Sequence, residues 1–235
     1  MLKLARLPSG EPEIFASIQG EGASAGRPST FVRLSLCNLA CTWCDTKYTW
    51  DWARYDPAVE IAHTEGTEVV ERVTGLGVEN VVITGGEPLM QQDALSDVAE
   101  ALTSAGHRIE VETNGTFEPQ PSLRCHVAQW NVSPKLANSG NAPRRRLLGA
   151  PLRWFAQSEG AWFKFVIDAP ADLDEVEALV RRYGVPHGRV ILMPQGTSID
   201  ALDKRSGWLA EACARHGYRF STRMHILLWG DERGR

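Results

Sequence analysis

Three cysteines within eight residues form the clearest chemical feature of the sequence. Cys37, Cys41 and Cys44 lie in the segment CNLACTWC, which has C-x3-C-x2-C spacing. Thiolates this close together can hold one metal centre, as they do in zinc sites and iron–sulfur clusters. The segment has no histidine, and Asp45 is its only adjacent carboxylate, so a closed four-ligand zinc site lacks a ligand. The spacing therefore favours a [4Fe–4S] cluster with one iron left open, while zinc and a redox or coincidental group of thiols stay as alternatives.

The other two cysteines are poorly placed to supply a fourth ligand. Cys125 precedes a predicted strand and should lie at the opposite end of the sheet, since five to seven extended residues span roughly 17–23 Å. Cys213 falls within a predicted helix, next to two alanines. We predict that both are buried structural thiols.

The composition is typical of a globular protein. The chain has 235 residues, of which 43% are hydrophobic and 23% charged, and this excludes wholesale disorder, collagen and coiled coil. Its net charge of −4 argues against binding to nucleic acid, which requires positive charge. No apolar stretch approaches the roughly 18–20 residues that cross a bilayer, so no membrane partner is expected. We expect one cytoplasmic domain over residues 1–235, with its thiols reduced.

The elements that must position the cysteines alternate between strands and helices, which favours an α/β fold with a parallel sheet. Six strands are too few for a closed eight-stranded barrel, so we predict a partial, open βα barrel of about six mainly parallel strands. Segment 137–160 breaks the alternation, and one short helix is expected there. The predicted helices cover residues 69–76, 95–102, 173–180 and 208–212. The predicted strands cover residues 30–36, 80–84, 108–112, 126–132, 162–167 and 189–193, with a seventh at 224–229.

Polar and unusual residues follow the predicted strands at their carboxyl ends. In parallel α/β folds this edge carries the active site, because the βα loops converge there. The cysteine loop and the other strand-end residues are therefore expected to share one site. These residues are Cys37, Gly85-Gly86-Glu87, Thr113-Asn114-Gly115, Ser133-Pro134-Lys135 and Pro194-Gln195-Gly196.

The cysteine motif, followed by Gly85-Gly86-Glu87-Pro88 after the next strand, resembles the radical S-adenosylmethionine superfamily. The resemblance implies a [4Fe–4S] cluster whose open iron binds the amino and carboxylate groups of S-adenosylmethionine. Cleavage of that cofactor by the reduced cluster would yield a 5′-deoxyadenosyl radical. The glycines allow a close approach of backbone to the cofactor, and Glu87 could accept a hydrogen bond from its ammonium group.

Further motifs narrow the resemblance to the 7-carboxy-7-deazaguanine synthase family. The resemblance implies a magnesium-dependent carbon–nitrogen lyase of 7-deazapurine and queuosine biosynthesis. Its substrate would be 6-carboxy-5,6,7,8-tetrahydropterin, with hydrogen abstraction at C6, release of ammonia and regeneration of S-adenosylmethionine. It also implies a homodimer and a low-potential electron donor such as flavodoxin. The motifs are EIFASIQGEG (13–22), the stretch 26–34, CNLACTWCDT (37–46), TGGEP (84–88), ETNGT (112–116), NVSPK (131–135) and MPQG (193–196).

The same resemblance implies the site residues, with no catalytic residue beyond the cluster and cofactor. Thr46 would contact Mg²⁺ through its hydroxyl, a ligand that suits a hard cation. The planar fork of Arg33 suits the substrate carboxylate. Without the resemblance, Gln19 and Glu21 would be read as an ordinary polar turn. The substrate set is Ile18, Gln19, Gly20, Glu21, Arg33 and Thr84. The S-adenosylmethionine set is Trp43, Cys44, Asp45, Gly86, Glu87, Ser133, Pro134, Lys135, Met193, Pro194, Gln195 and Gly196.

Two rival functions and one surface feature stay open at this point. The chain could instead be a glycyl-radical-enzyme activase, which shares the cysteine spacing, or a non-catalytic iron–sulfur or zinc protein. The run Arg144-Arg145-Arg146 is interpreted first as solvated surface and second as a docking patch for an acidic electron donor. His225 is treated as a structural strand residue.

Overall fold

The structure, a computed structural model, describes residues Met1–Arg235 and is built around one sheet of ten strands. The strands pair in the order β10-β9-β8-β7-β6-β5-β3-β1-β4, and β2 pairs with β3. Their bounds are β1 (Leu2–Ala5), β2 (Ile14–Ile18), β3 (Pro28–Leu34), β4 (Ile61–Thr64), β5 (Asn80–Gly85), β6 (Arg108–Thr113), β7 (Val127–Val132), β8 (Ala161–Ile167), β9 (Val190–Pro194) and β10 (Arg219–Phe220).

The six predicted parallel strands form the middle of this sheet. β3 and β5 to β9 run parallel to one another, and their bounds lie within two residues of the predicted ones. β1, β2 and β4 are additional antiparallel strands at one side, and the short parallel β10 ends the other side. The two ends of the sheet do not pair with each other, so the predicted open βα barrel is confirmed.

The helices cover the sheet between its parallel strands, and the four predicted helices are present. Apolar side chains of α2 and α3, such as Val69, Val73, Leu95 and Leu102, are fully buried in the core. The bounds are α1 (Pro57–Glu60), α2 (Gly66–Gly75), α3 (Gln92–Ser104), α4 (Pro121–Arg124), α5 (Pro143–Arg146), α6 (Gly149–Gln157), α7 (Asp172–Tyr183), α8 (Ile199–His216) and α9 (Met224–Trp229). Not one of these helices combines the length and the apolarity that crossing a membrane would demand.

Three predictions about the fold are wrong. Met224–Trp229 is the helix α9 and not a strand, because a six-residue segment with five apolar residues fits either structure and its tertiary contacts decide. The segment 137–160 contains both α5 and α6, so it holds more than one short helix. Cys125 ends α4 and is exposed, whereas Cys213 is buried in α8 as expected.

Candidate active site

One cavity opens at the carboxyl ends of the parallel strands, where the sequence predicted the site. The three cysteines and Thr46 line it together with the loops that follow β5, β6, β7 and β9. All but two of the residues predicted to hold cluster, cofactor, Mg²⁺ or substrate border this cavity; the two that do not are Glu87 and Pro134. The tertiary structure thus brings the predicted residues to one place, and their individual ligand roles stay predictions.

The backbone turns sharply where β3 leads into the cysteine loop. Leu36, directly before Cys37, has φ of 76° and is the only non-glycine residue with positive φ. Such a conformation costs on the order of 1–3 kcal/mol unless its surroundings impose it. Here Leu36 N donates to Thr49 O at 2.7 Å and Leu36 O accepts from Glu87 N at 2.8 Å. A Cβ at Gly86 would lie 2.1 Å from Leu36 O, so the close approach of these two loops requires glycine.

The thiols sit in a partly desolvated environment. Burial raises the pKa of Cys37 to about 12, and burial likewise raises the pKa of Cys41. No three His, Cys, Asp or Glu side chains lie close enough to hold a single metal ion between them. The donor set is three soft thiols facing one open cavity, which fits a thiolate-held cluster that keeps an external coordination position.

A charge network centred on Glu21 lines the same cavity. The Glu21 carboxylate is paired with the Lys164 ammonium and accepts from Arg223 Nε at 2.9 Å. Burial alone would raise the pKa of Glu21, yet Lys164 and Arg223 hold it well below its usual range. Glu21 is therefore ionised, and its charge is balanced within the site.

Arg223 connects three loops of the cavity through one guanidinium group. Besides Glu21, it donates through Nη1 to Gly196 O at 2.7 Å and pairs through Nη2 with Asp45. Burial would raise the pKa of Asp45, but Arg223 holds it below its usual value. The side chain thus ties the loop before β3, the loop that carries the third cysteine, and the loop after β9.

A second carboxylate, Glu112 at the end of β6, orients two of the predicted substrate residues. Glu112 Oε1 accepts from Gln19 Nε2 at 3.2 Å, and Oε2 accepts from Thr84 Oγ1 at 2.7 Å. Gln19 Oε1 in turn accepts from Glu21 N at 3.1 Å. The cavity therefore has an edge of fixed donors and acceptors that can match a flat heterocycle.

Arg33 extends from β3 into the cavity, and a buried carboxylate fixes its guanidinium group. Its Nε donates to Glu13 Oε1 at 2.6 Å, and its two terminal nitrogens have no protein partner. Glu13 is fully buried and also accepts from Tyr48 OH at 3.2 Å and from Arg233 Nε at 3.1 Å. Arg233 is paired with Glu60 as well, at 3.0 Å, so the free terminal nitrogens of Arg33 are the donors that this group offers to an anion in the cavity.

The loop after β7 meets the cysteine loop on the other side of the cavity. Lys135 Nζ donates to Ser133 Oγ at 2.9 Å and lies 5.6 Å above the centre of the Trp43 ring. Trp43 Nε1 donates to Asn138 O at 3.1 Å, which fixes the indole. This places an ammonium, a hydroxyl and an aromatic face together, groups that can bind a carboxylate, a ribose and a purine.

The Glu87 side chain does not line the cavity. Its carboxylate is fully buried and accepts from Thr113 Oγ1 at 2.8 Å, Asn114 N at 2.7 Å and Leu89 N at 3.0 Å. Burial raises its pKa. These bonds use Glu87 to join the loops after β5 and β6, and its contact with the cofactor stays a prediction. Pro134 likewise points away, into the core near Leu152.

Sequence reasoning did not single out Lys164, Glu112 and Arg223, which line the cavity. Lys164 interrupts the apolar strand β8 as Arg33 interrupts β3, so the same signal was present. Glu112 stands in the quoted motif ETNGT. Arg223 directly precedes the segment 224–229 that was predicted as a strand, and His225, within that segment, was set aside as a structural residue although it also lines the cavity.

The C-terminal segment closes this side of the cavity by close backbone contact. Met224 N donates to Gly20 O at 2.9 Å, and a Cβ at Gly20 would lie 2.3 Å from His225 Nδ1. Only glycine therefore fits at position 20. Burial lowers the pKa of His225, so the imidazole is held neutral beside Glu21.

Comparison with known proteins agrees with this architecture. Residues 32–121 match the Radical SAM superfamily. Fold and site together define a radical S-adenosylmethionine enzyme, whose cofactors are a [4Fe–4S] cluster and S-adenosylmethionine. The crystal structure of SuiB from Streptococcus suis bound to S-adenosylmethionine shares the fold, with a TM-score of 0.54, 14% identity and coverage of 79% of this chain and 48% of that one.

Relatives that match over nearly the whole chain define the family more narrowly than the superfamily match does. The 7-carboxy-7-deazaguanine synthase of Pyrobaculum aerophilum is 43% identical over 226 residues, which cover 95% of this chain and 96% of the relative. That of Rhodopirellula baltica is 35% identical over 236 residues, covering 94% and 87%. The crystal structure of QueE from Escherichia coli has a TM-score of 0.69 and 26% identity, covering 95% of this chain and 94% of its own. The chain belongs to the 7-carboxy-7-deazaguanine synthase family, and neither rival function is favoured.

Proposed function

We propose that this chain converts 6-carboxy-5,6,7,8-tetrahydropterin into 7-carboxy-7-deazaguanine with release of ammonia. The observation that carries the proposal is the composition of one cavity. It joins the three cysteines to an ordered hydrogen-bonding edge and to the free terminal nitrogens of Arg33. A flat pterin with a carboxylate needs both of these features beside a radical-generating centre.

The chain's own residues divide the binding work around this cavity. Cys37, Cys41 and Cys44 hold the cluster, which when bound supplies the electron that generates the adenosyl radical from S-adenosylmethionine. Ser133 and Lys135 hold polar groups of that cofactor, because their hydroxyl and ammonium face the cysteine loop together with Trp43. The residues 193–196 at the end of β9 border the same space, and Arg223 fixes Gly196 by its carbonyl.

Substrate is oriented by groups that are already immobilised. Arg33 presents its two terminal nitrogens to the substrate carboxylate in a bidentate pair. Gln19, Thr84 and Glu112 meet the aminopyrimidinone edge, since the carboxylate of Glu112 already fixes the other two side chains. A pre-ordered edge of this kind reduces the entropy that is lost on binding.

We propose further that Thr46 contacts Mg²⁺. Its hydroxyl lies at the cavity, 3.6 Å from Cys44 Sγ, while the neighbouring Asp45 is held by Arg223. Mg²⁺ keeps most of its waters and needs few protein ligands, so one hydroxyl together with a substrate carboxylate suffices. Thr46→Val, which keeps the shape and removes the oxygen, should raise the Mg²⁺ concentration needed for half-maximal turnover. An unchanged Mg²⁺ requirement would exclude this contact.

The function is tested with protein reconstituted anaerobically with iron and sulfide. It is supplied with S-adenosylmethionine, Mg²⁺, reductant and 6-carboxytetrahydropterin, and products are followed by mass spectrometry. We expect 7-carboxy-7-deazaguanine with little net loss of S-adenosylmethionine. No conversion by protein with a full four-iron cluster would refute the proposal. Arg33→Met should raise KM for the substrate at least tenfold, whereas Arg72→Met, at an exposed position, serves as control.

The electron donor is proposed to be an acidic protein such as flavodoxin. Arg146 is buried and donates to Glu175 at 2.6 Å, so the basic run reduces to Arg144 and Arg145 at the surface. Arg145 donates to Asn38 O at 2.6 Å, directly beside Cys37. Arg144→Glu should slow turnover with flavodoxin and leave turnover with dithionite unchanged. An equal effect on both reductants would contradict this docking surface.

A single domain over residues 1–235, a cytoplasmic location and a homodimer complete the proposal. The family resemblance supports the homodimer, and sedimentation equilibrium at micromolar concentration should give twice the mass of one chain. A monomer at that concentration would contradict it.

A further inference from the structure

The sulfurs of two of the three loop cysteines accept a hydrogen bond from a side-chain N–H group. Trp50 Nε1 donates to Cys44 Sγ at 3.3 Å, and Asn141 Nδ2 donates to Cys41 Sγ at 3.3 Å. Both donors come from outside the CNLACTWC segment.

The amide of Asn141 is oriented by its surroundings. Its Oδ1 accepts from Ala40 N at 3.0 Å, and because a backbone N–H can only donate, Nδ2 must point the other way, to sulfur. The carbonyl of Asn141 accepts from Arg146 Nε at 3.0 Å, and Arg146 is paired with Glu175. The loop between β7 and α5 is therefore fixed so that it presents one donor to the cysteine loop.

Trp50 reaches its cysteine from another direction. It follows the short helical turn Lys47–Thr49, and its backbone N donates to Lys47 O at 3.1 Å. A large ring is an unusual way to deliver one hydrogen bond, and the partly buried indole also covers the sulfur from water. Both donors are neutral, so they stabilise negative charge on sulfur without adding a cation to the site.

We propose that Trp50 and Asn141 are positioning residues that set the reduction potential of the cluster held by Cys37, Cys41 and Cys44. Reduction adds an electron that is shared with the thiolate sulfurs, so N–H···S bonds are stronger in the reduced state. Such bonds raise the potential and make a cluster easier to reduce.

The inference rests on the cluster of the superfamily and not on the proposed substrate, so the test needs no substrate. Trp50→Phe removes the indole N–H and keeps a smaller aromatic ring, and Asn141→Leu replaces the amide by a group of similar volume without a donor. Trp52→Phe, two positions from Trp50 and without a hydrogen bond to sulfur, is the matched control. Iron and sulfide are counted in each protein, and the potential is measured by redox titration followed by electron paramagnetic resonance.

We expect the one-electron reduction equilibrium of each variant to shift about tenfold toward the oxidised cluster. This corresponds to a reduction potential about 59 mV more negative than that of the parent protein. Trp52→Phe should keep the parent potential. Four-iron clusters with parent potential in both Trp50→Phe and Asn141→Leu would overturn the inference. If Asn141→Leu fails to hold iron, the reduction potential of Trp50→Phe alone tests the inference. A shift in potential together with failure to convert the pterin would keep this inference and refute the proposed function.

Discussion

Replacing Arg223 by methionine tests the charge network that joins the three loops of the cavity. The substitution keeps most of the side-chain volume and removes the contacts to Glu21, Asp45 and the Gly196 carbonyl. Because two carboxylates then lose their common cation, we expect a large fall in the free energy of unfolding.

The size of the expected loss in the free energy of unfolding follows from how deeply the charged groups are buried. The Arg223 side chain is 9% exposed, against 14% for Glu21 and 32% for Asp45. At the 2.9 Å separation from Glu21, unit charges attract by about 6 kcal/mol at an effective dielectric constant of about 20. Removing one partner of a buried pair typically costs about 3–5 kcal/mol, and Lys164 still neutralises Glu21 in the variant. We therefore expect a loss of about 3 kcal/mol, at the lower end of that range.

The loss should depend on pH in a direction set by the carboxylates. Arg223 lowers the pKa values of Glu21 and Asp45 in the folded chain. The stabilisation of the fold by these two carboxylates is complete above the ordinary carboxyl pKa of about 4. It is lost as the pH falls through the lowered pKa values that the two groups have in the folded chain. The difference between parent and variant should be constant from about pH 7 to about pH 5 and shrink below about pH 4.

The assay is reversible urea unfolding of cluster-free protein under reducing conditions, followed by circular dichroism. Arg223→Lys should lose less than Arg223→Met, because it keeps a charge but not the three-way fork. Arg72→Met removes an exposed arginine that also contacts two carboxylates, and it should cost no more than about 1 kcal/mol. A loss below 1 kcal/mol for Arg223→Met, or an equal loss at pH 3 and pH 7, would refute the reasoning.

Three further substitutions test the placement of single residues. Cys125→Ala should leave iron content and stability unchanged, within about 0.5 kcal/mol, because the thiol is exposed. Cys213→Ala should cost about 1–2 kcal/mol in urea unfolding and leave iron content unchanged, since it empties a buried position; loss of iron in either protein would show that the thiol reaches the cluster. Gly20→Ala should destabilise the chain by about 1–3 kcal/mol and weaken substrate binding, because its Cβ would collide with His225. Parent stability in that variant would mean that the C-terminal segment does not pack on this loop.

Residues that act within one short segment were well predicted from sequence. The three cysteines lie within eight positions, so their spacing alone nearly defines a shared ligand set. The parallel strands were found because period and β-branched composition are local properties, and the placement of polar residues after them follows from the geometry of parallel sheets. Arg33 was recognised because a charge in an apolar strand needs a partner, and Glu13 is that partner.

Contacts between residues far apart in the sequence were decided only by the tertiary structure. Glu21 and Lys164 are 143 positions apart and Glu21 and Arg223 are 202 apart, and no local pattern links them. Glu87 belongs to a motif that reaches the cavity, yet two hydrogen bonds from residues at the end of β6 and one from its own loop hold its carboxylate inside. Met224–Trp229 could be strand or helix by its own composition, and the contact of Met224 with Gly20 accompanies the helix. The sequence by itself determined which chemistry is carried and on which edge of the sheet it lies. The fold alone decided which charges meet, because burial makes each buried charge depend on partners that the chain supplies from far away.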